Sequence, residues 1–199
     1  MKHSEQQWDQ RLQIRTCGRD DSGADQYHHP YEPTPYCVLR RLCASGLIKR
    51  GDTVLDYGCG KGRVGFFLAR ETRAEVIGIE YDQRIYADAL ENQRSAKAKA
   101  AFVLTPAEEY AVPERVNRCW FFNPFSSEIL SKVMARILES YYRQPREMLL
   151  FFYYPADEYV AYLMTVEELE FYDELPCDDL FKGDPRERIL IFRLPGLEQ

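Results

Sequence analysis

The chain has 199 residues, 45% of them hydrophobic, 29% charged and 14% aromatic, which suits one domain with a core of its own. A net charge of −6 and a pI near 5.2 count against phosphate-backbone binding as the main activity, because that binding depends on Lys and Arg neutralising phosphates. The opening MKHSEQQWDQRLQIRT has no apolar h-region and the longest apolar runs, around Trp120 and Met148, are too short for a membrane span, so neither secretion nor membrane insertion is expected.

In chain order, residues 1–30 are polar and carry Gly18, Asp20, Asp21, Ser22 and Gly23, which predicts a flexible or loosely packed lead-in. YEPTPY (31–36) follows, its prolines holding the backbone extended. A helix is predicted to start with Thr34 as N-cap and Pro35 at the first position, running through YCVLRRLCASGL. Then TVLDY, EVIGIEY, AFVLT, RCWFFN and REMLLFFYYP read as strands. Between them lie helices in GRVGFFLARET, in residues 83–97 and in SSEILSKVMARILESYYR, the last capped by Ser126 or Ser127. DEYVAYLMT is a further helix, and LEFYDEL and RERILIFRL are closing strands.

Apolar strands without period-two alternation, separated by amphipathic helices, predict an α/β domain over 31–199 with a mostly parallel, doubly wound sheet and helices on both faces. The last two strands are joined too closely for a crossover helix and should pair antiparallel. Six cysteines without CxxC or zinc-finger spacing read as reduced thiols, pointing to the cytoplasm. His28 and His29 have no third ligand at metal spacing, so no metal is expected.

In DYGCGKG, Gly58, Gly60 and Gly62 leave a strand and enter a helix, where a missing Cβ lets backbone turn sharply and approach a ligand. Glu80 ends the next strand, placed to accept two ribose hydroxyls. GKGRVG also fits the GxGxxG dinucleotide fingerprint, with an acidic residue about 20 positions on, which leaves an NAD(P)-dependent oxidoreductase as an alternative. Asp56 weighs against it, because a carboxylate at the strand end offers a diphosphate nothing and an amino group a partner.

VLDYGCGKGRVGFFLA resembles motif I of class I S-adenosylmethionine-dependent methyltransferases, VIGIEYD their next acidic motif, and CWFFNPF the motif ending the fourth strand. The resemblance covers about residues 30–195. It implies strand order 3-2-1-4-5-7-6 with strand 7 antiparallel, and S-adenosyl-L-methionine as cofactor. It implies that Asp56 and the loop Tyr57, Gly58, Cys59, Gly60 and Gly62 hold the methionine part, Glu80 the ribose and Tyr81 the adenine. Where many members carry an adenine-contacting Asp, this chain reads LTPAEEY, with Thr105 as the expected contact and Ala107 and Glu108 close by.

Asn123-Pro124-Phe125 resembles the (Asn/Asp)-Pro-Pro-(Tyr/Phe) motif of N-methyltransferases with one proline missing. The resemblance implies that Asn123 and the Pro124 carbonyl accept hydrogen bonds from a target nitrogen and that Phe125 stacks on the substrate. Asn-Pro is also ordinary turn chemistry, so a capping Asn123 is the competing reading. Tyr31, Glu32, Thr34, Tyr36, Tyr153 and Tyr154 are expected to line the acceptor side. The expected activity is methyl transfer to nitrogen on a protein side chain or a small molecule. A non-catalytic module keeping the cofactor fold is the third reading, since fold alone does not establish chemistry. The sequence does not name the acceptor or the oligomeric state.

Overall fold

The computed structural model describes residues 2–20 and 31–196; His28 and His29 lie outside them. The strands are β1 (Thr53–Tyr57), β2 (Glu75–Glu80), β3 (Ala101–Leu104), β4 (Arg118–Phe121), β5 (Met148–Tyr153), β6 (Glu170–Pro176) and β7 (Arg188–Leu194). They form one sheet in the order β3-β2-β1-β4-β5-β7-β6, as the motif resemblance implies. β1 to β5 run parallel, while β7 is antiparallel to both β5 and β6.

β1 and β5 are buried along their whole length on both faces, which is why their sequences do not alternate. On one face lie α2 (Tyr36–Ala44), α3 (Arg63–Glu71) and α4 (Gln83–Ser95), packed over Val54, Val76, Trp120 and Phe151. On the other lie α5 (Ser127–Arg143) and α6 (Asp157–Leu163), over Leu55, Ile77, Cys119 and Phe152. Side chains cap two of these helices: Asp82 accepts from the amides of Arg84 and Ile85, and Ser126 from that of Ile129.

The N-terminal segment departs from the sequence expectation. Residues 2–20 are packed, beginning with α1 (Lys2–Leu12). Leu12, Ile14 and Thr16 are buried, and Trp8 stacks on Tyr36 with ring centroids 5.7 Å apart. The Asp9 carboxylate accepts hydrogen bonds from the Thr16 amide (2.6 Å), the Thr16 hydroxyl (2.7 Å) and the Tyr36 hydroxyl (2.6 Å). A few apolar residues in a polar stretch suffice here because a buried polar network closes around them. α2 also starts one residue later than predicted, with Pro35 as N-cap and no side-chain cap, because the Thr34 carbonyl is drawn to Arg63 instead.

β1 stands between β2 and β4, so the chain leaves it in both directions along the sheet. The crevice outside the strand ends at that switch point is where open α/β sheets bind ligands.

Candidate active site

The crevice is walled by the ends of β1, β2 and β4, by residues 31–34 crossing above them, and by the turn after β3. Asp56, in register with Gly78 of β2 and Trp120 of β4, is 2% exposed, and its Oδ2 is buried without a hydrogen-bond partner. Burial, then the nearby Glu80 charge, raises the Asp56 pKa well above the ordinary carboxylate value. Such a carboxylate is costly unless a donor or cation meets it.

Glu80, also buried, is in the opposite condition. Its Oε2 accepts from the Gly60 amide (3.0 Å), and its Oε1 from the amides of Tyr81 and Asp82 (2.9 Å each). This one side chain fixes the glycine loop to the end of β2. Burial raises its pKa and the three amides work against that rise.

The loop residues divide. Gly58 has φ +68°, and a Cβ there would lie 2.5 Å from the Pro124 side chain, so the loop and the exit of β4 touch only because the residue is glycine. Gly60 and Gly62 do not line the crevice: the Tyr31 ring covers Gly60, and Phe66 and Phe102 pack on Gly62. Cys59 turns its thiol down onto Gly78, leaving only its backbone for a ligand. The Tyr57 ring points into the opposite core layer, stacked on Phe121 at 4.7 Å. Of the loop residues expected at the cofactor, Asp56 and Gly58 therefore face the crevice most directly.

Tyr81 and Thr105 line the crevice, and the Thr105 amide donates to the Glu80 carbonyl (3.0 Å). Glu108 lines it too, from the single turn of 3-10 helix at Ala107–Glu109. Its Oε2 is a second buried carboxylate oxygen without a partner. Sequence reasoning noted Glu108 only as a neighbour of Thr105; the signal was the departure LTPAEEY itself, a missing Asp with a Glu close by. Four carboxylates, Glu32, Asp56, Glu80 and Glu108, line the crevice among the described residues, against Arg63. Arg63 is buried and already meets Glu5, Asp9, the Thr16 hydroxyl and the Thr34 carbonyl. Such a lining suits a cationic ligand and repels a diphosphate.

Two aromatic residues expected on the acceptor side are mostly buried. Phe125 borders the crevice but is almost wholly buried, its ring edge-on to Tyr57 and Phe121. Tyr36 is buried as well, beneath the Arg63 guanidinium at 4.3 Å. Asn123 has φ +40°; its Oδ1 accepts from the Ala156 amide (3.2 Å) and its Nδ2 donates to the Tyr154 carbonyl. Both ends of the amide thus tie the exit of β4 to the turn after β5, the arrangement of a turn-capping Asn.

Tyr31 and Thr34 line the crevice, and the Tyr31 hydroxyl donates to the Thr16 carbonyl (2.7 Å). Tyr153 and Tyr154 instead line a neighbouring cleft of about 530 Å³, which shares Glu32, Phe122 and Asn123 with the first. The Tyr153 hydroxyl donates to Glu187 there. Among the described residues no cluster of His, Cys, Asp or Glu could hold a metal ion, and no helix is long and apolar enough to cross a membrane.

Residues 48–135 match the family model described as a methyltransferase domain. A solved TehB-like S-adenosylmethionine-dependent methyltransferase from Corynebacterium glutamicum aligns over 98% of this chain and 97% of its own, with TM-score 0.58 and 17% identity. Residues 48–135 thus resemble a methyltransferase domain, and the chain as a whole has the fold of the class I S-adenosylmethionine-dependent methyltransferases. An RNA methyltransferase from Salinibacter ruber, solved with S-adenosyl-L-homocysteine, shares the fold over 84% of this chain and 96% of its own (TM-score 0.55, 17% identity). A protein-lysine N-methyltransferase from Saccharolobus islandicus is 35% identical over 66 residues, 33% of this chain and 41% of that protein. A ribosomal protein L11 methyltransferase from Cupriavidus metallidurans is 27% identical over 113 residues, 55% of this chain and 35% of that one. The chain thus spans 41% and 35% of the length of these last two relatives. The acidic crevice with its unmet Asp56 oxygen fits a ligand carrying an ammonium and a sulfonium, the two charges that S-adenosylmethionine presents.

Proposed function

We propose that the protein transfers a methyl group from S-adenosylmethionine to a nitrogen on a protein side chain or a small molecule. The observation that carries this reading is the unpartnered, buried Oδ2 of Asp56 in a crevice lined by carboxylates. Asp56 would receive the ammonium of the methionine part, with the Gly58 backbone alongside. Glu80, already holding the loop, would accept the ribose hydroxyls with its remaining lone pairs. Tyr81 and Thr105 would border the adenine, and Glu108 would face its amino edge. When bound, the cofactor supplies an electrophilic methyl on sulfur, open to in-line displacement.

In this reading Asn123 is a positioning residue. Its two backbone bonds set the rim between the crevice and the neighbouring cleft, and with it the Pro124 carbonyl. Support for a protein acceptor comes from the named activities of the lysine and ribosomal-protein methyltransferases that match parts of the chain. A cytoplasmic location agrees with six cysteines that are all unpaired.

Calorimetric titration with S-adenosylmethionine, S-adenosylhomocysteine and NADH tests the cofactor assignment. Binding of the first two without NADH is expected; NADH binding alone would make the protein an oxidoreductase. Cofactor binding without label transfer to any fraction of a cell lysate would leave a non-catalytic module. Asn123→Ala is expected to lower turnover about tenfold or more, since small misplacements in a transfer site are costly. Cofactor affinity should stay nearly unchanged, and an unaltered rate would remove Asn123 from the mechanism.

A further inference from the structure

The cleft beside the cofactor crevice is not explained by the cofactor. Its volume of about 530 Å³ lies within the roughly 300–1,000 Å³ typical of small-ligand sites. Four aromatic side chains line it: Phe122, Tyr153, Tyr154 and Phe181. Two carboxylates, Glu32 and Glu187, stand among them against one cation, Arg19, which lies 3.5 Å from Glu32. A second cation, Arg186 beside Tyr154, is paired with Asp184 at 3.0 Å, so among these groups the carboxylates outnumber the cations by one.

The rim is built under strain. Asn123 and Tyr154 both adopt positive φ, +40° and +48°, which side chains other than glycine rarely do. Tyr154 is the more unusual, because it is bulky and its side chain makes no local turn bond. Asn123 bonds to the Tyr154 carbonyl and so holds the pair in place. Backbone strain kept by specific bonds is found where a surface must have one shape. The Tyr154 ring already draws a cation, the Arg186 guanidinium, at 5.0 Å.

Aromatic walls with a carboxylate at hand form a setting in which an alkylammonium keeps favourable contacts after losing water. Burial of Glu187 also raises its pKa, which adds to the gain from meeting a cation. We infer that this second cleft receives the methyl acceptor and selects a primary alkylammonium, with Glu187 and Glu32 facing the charge and the Phe122, Tyr153 and Phe181 rings enclosing the chain that carries it. The nitrogen gives up one proton to solvent before its lone pair takes the methyl, and the sulfur–carbon bond breaks to leave S-adenosylhomocysteine. A lysine side chain and a free aliphatic amine share this chemistry. The inference rests on the methyltransferase reading above for the identity of the neighbouring crevice.

The test is a titration of the full chain, saturated with S-adenosylhomocysteine, followed by NMR shifts. The probes are n-butylammonium, the capped peptide acetyl-Gly-Lys-Gly-amide, the same peptide with its lysine acetylated, and n-pentanoate. Both cationic probes should shift resonances of Tyr154 and Phe181, and the acetylated peptide and the anion should not. Binding of the peptide alone would assign the cleft to protein acceptors; binding of butylammonium at least as tightly would assign it to free amines. Glu187→Gln and Glu32→Gln should each weaken the cationic probes threefold or more. Glu32 has 57% of its side chain exposed, so that variant stays informative if loss of the Tyr153 bond unfolds Glu187→Gln. Equal binding of the neutral peptide, tighter binding of the anion, or no shifts at all would overturn the inference. Failure of S-adenosylhomocysteine to bind at the outset would instead strike the cofactor reading.

Discussion

The two clefts that meet at Asn123 differ in how their polar atoms are met. In the cofactor crevice, Asp56 and Glu108 each present a buried carboxylate oxygen with no partner among the described residues. In the neighbouring cleft the polar tips are already paired: Tyr153 with Glu187, and Glu32 with Arg19. Unmet buried acceptors cost free energy in the empty protein and return it only to a ligand with matching donors. The first cleft is therefore specified for one polar ligand at fixed positions. The second, walled by rings with its polar tips already met, suits sorting by charge and breadth rather than by fixed donors. Two segments belong to both, the exit of β4 at Phe122 and Asn123 and the segment 31–34 through Glu32, and Arg63 holds the latter by the Thr34 carbonyl.

The largest expected effect comes from breaking that shared support. Arg63→Met leaves Glu5 and Asp9 facing a place where no cation remains. Removing one partner of a buried ion pair costs about 3–5 kcal/mol. Urea denaturation should show a loss of that order, with Arg63→Met plus Asp9→Asn recovering part of it. A loss near zero would mean that α1 and the 31–34 segment are not one unit with the sheet.

Next in size is Asp56→Asn, which separates the two conditions of a buried carboxylate. Affinity for S-adenosylhomocysteine should fall by about 1.5–3 kcal/mol, the range for hydrogen bonds to charged groups. The same substitution should leave the unliganded protein as stable or more stable at neutral pH, because the unmet charge is gone. A loss of both affinity and stability would show that Asp56 has a partner in the empty protein.

How far these sites could be read beforehand follows from the same physics. The sheet order and the loop at 58–62 were legible, because parallel buried strands and a strand-glycine-helix turn leave strong local patterns. The packing of residues 2–20 was not: its signal lies in Asp9, Thr16, Tyr36 and Arg63, which meet only through long-range hydrogen bonds. A motif names residue types and not the layer into which each ring turns, so the packing of Phe125 on Tyr57 and Phe121, and of Tyr36 beneath Arg63, is visible only in the structure. Asn123 kept two readings from sequence, and only the positions of Tyr154 and Ala156 show where its amide is engaged.

The pH response sharpens the contrast further. Burial and the Glu80 charge raise the folded-state pKa of Asp56. A raised carboxyl pKa means that its contribution to stability is present below the unfolded-state pKa and is lost as pH rises through the folded one. An ammonium ligand stabilises the charged form and lowers that pKa again, so binding should release protons and strengthen as pH rises through the empty protein's value. Calorimetry in two buffers of different ionisation enthalpy reads the released protons, a fraction of one per site. Asp56→Asn should abolish the release, and a release unchanged in that variant would move its source elsewhere, with Glu80 the first candidate.

The smallest effect is the most discriminating about the ligand. Glu108 Oε2 has no partner, and a carboxylate facing the edge of a purine accepts from an amino group but not from the keto oxygen of hypoxanthine. Glu108→Gln keeps the shape and one acceptor while adding a donor and removing the charge. Affinity for S-adenosylhomocysteine should drop by about 1 kcal/mol, the net scale of a single hydrogen bond. Affinity for S-inosylhomocysteine should hold or rise, since the glutamine amide can donate to its oxygen. The ratio of the two affinities is the quantity to measure, because a general loosening of the crevice lowers both and leaves the ratio alone. An unchanged ratio would detach Glu108 from the purine edge and leave Thr105 and the backbone of its turn to read it.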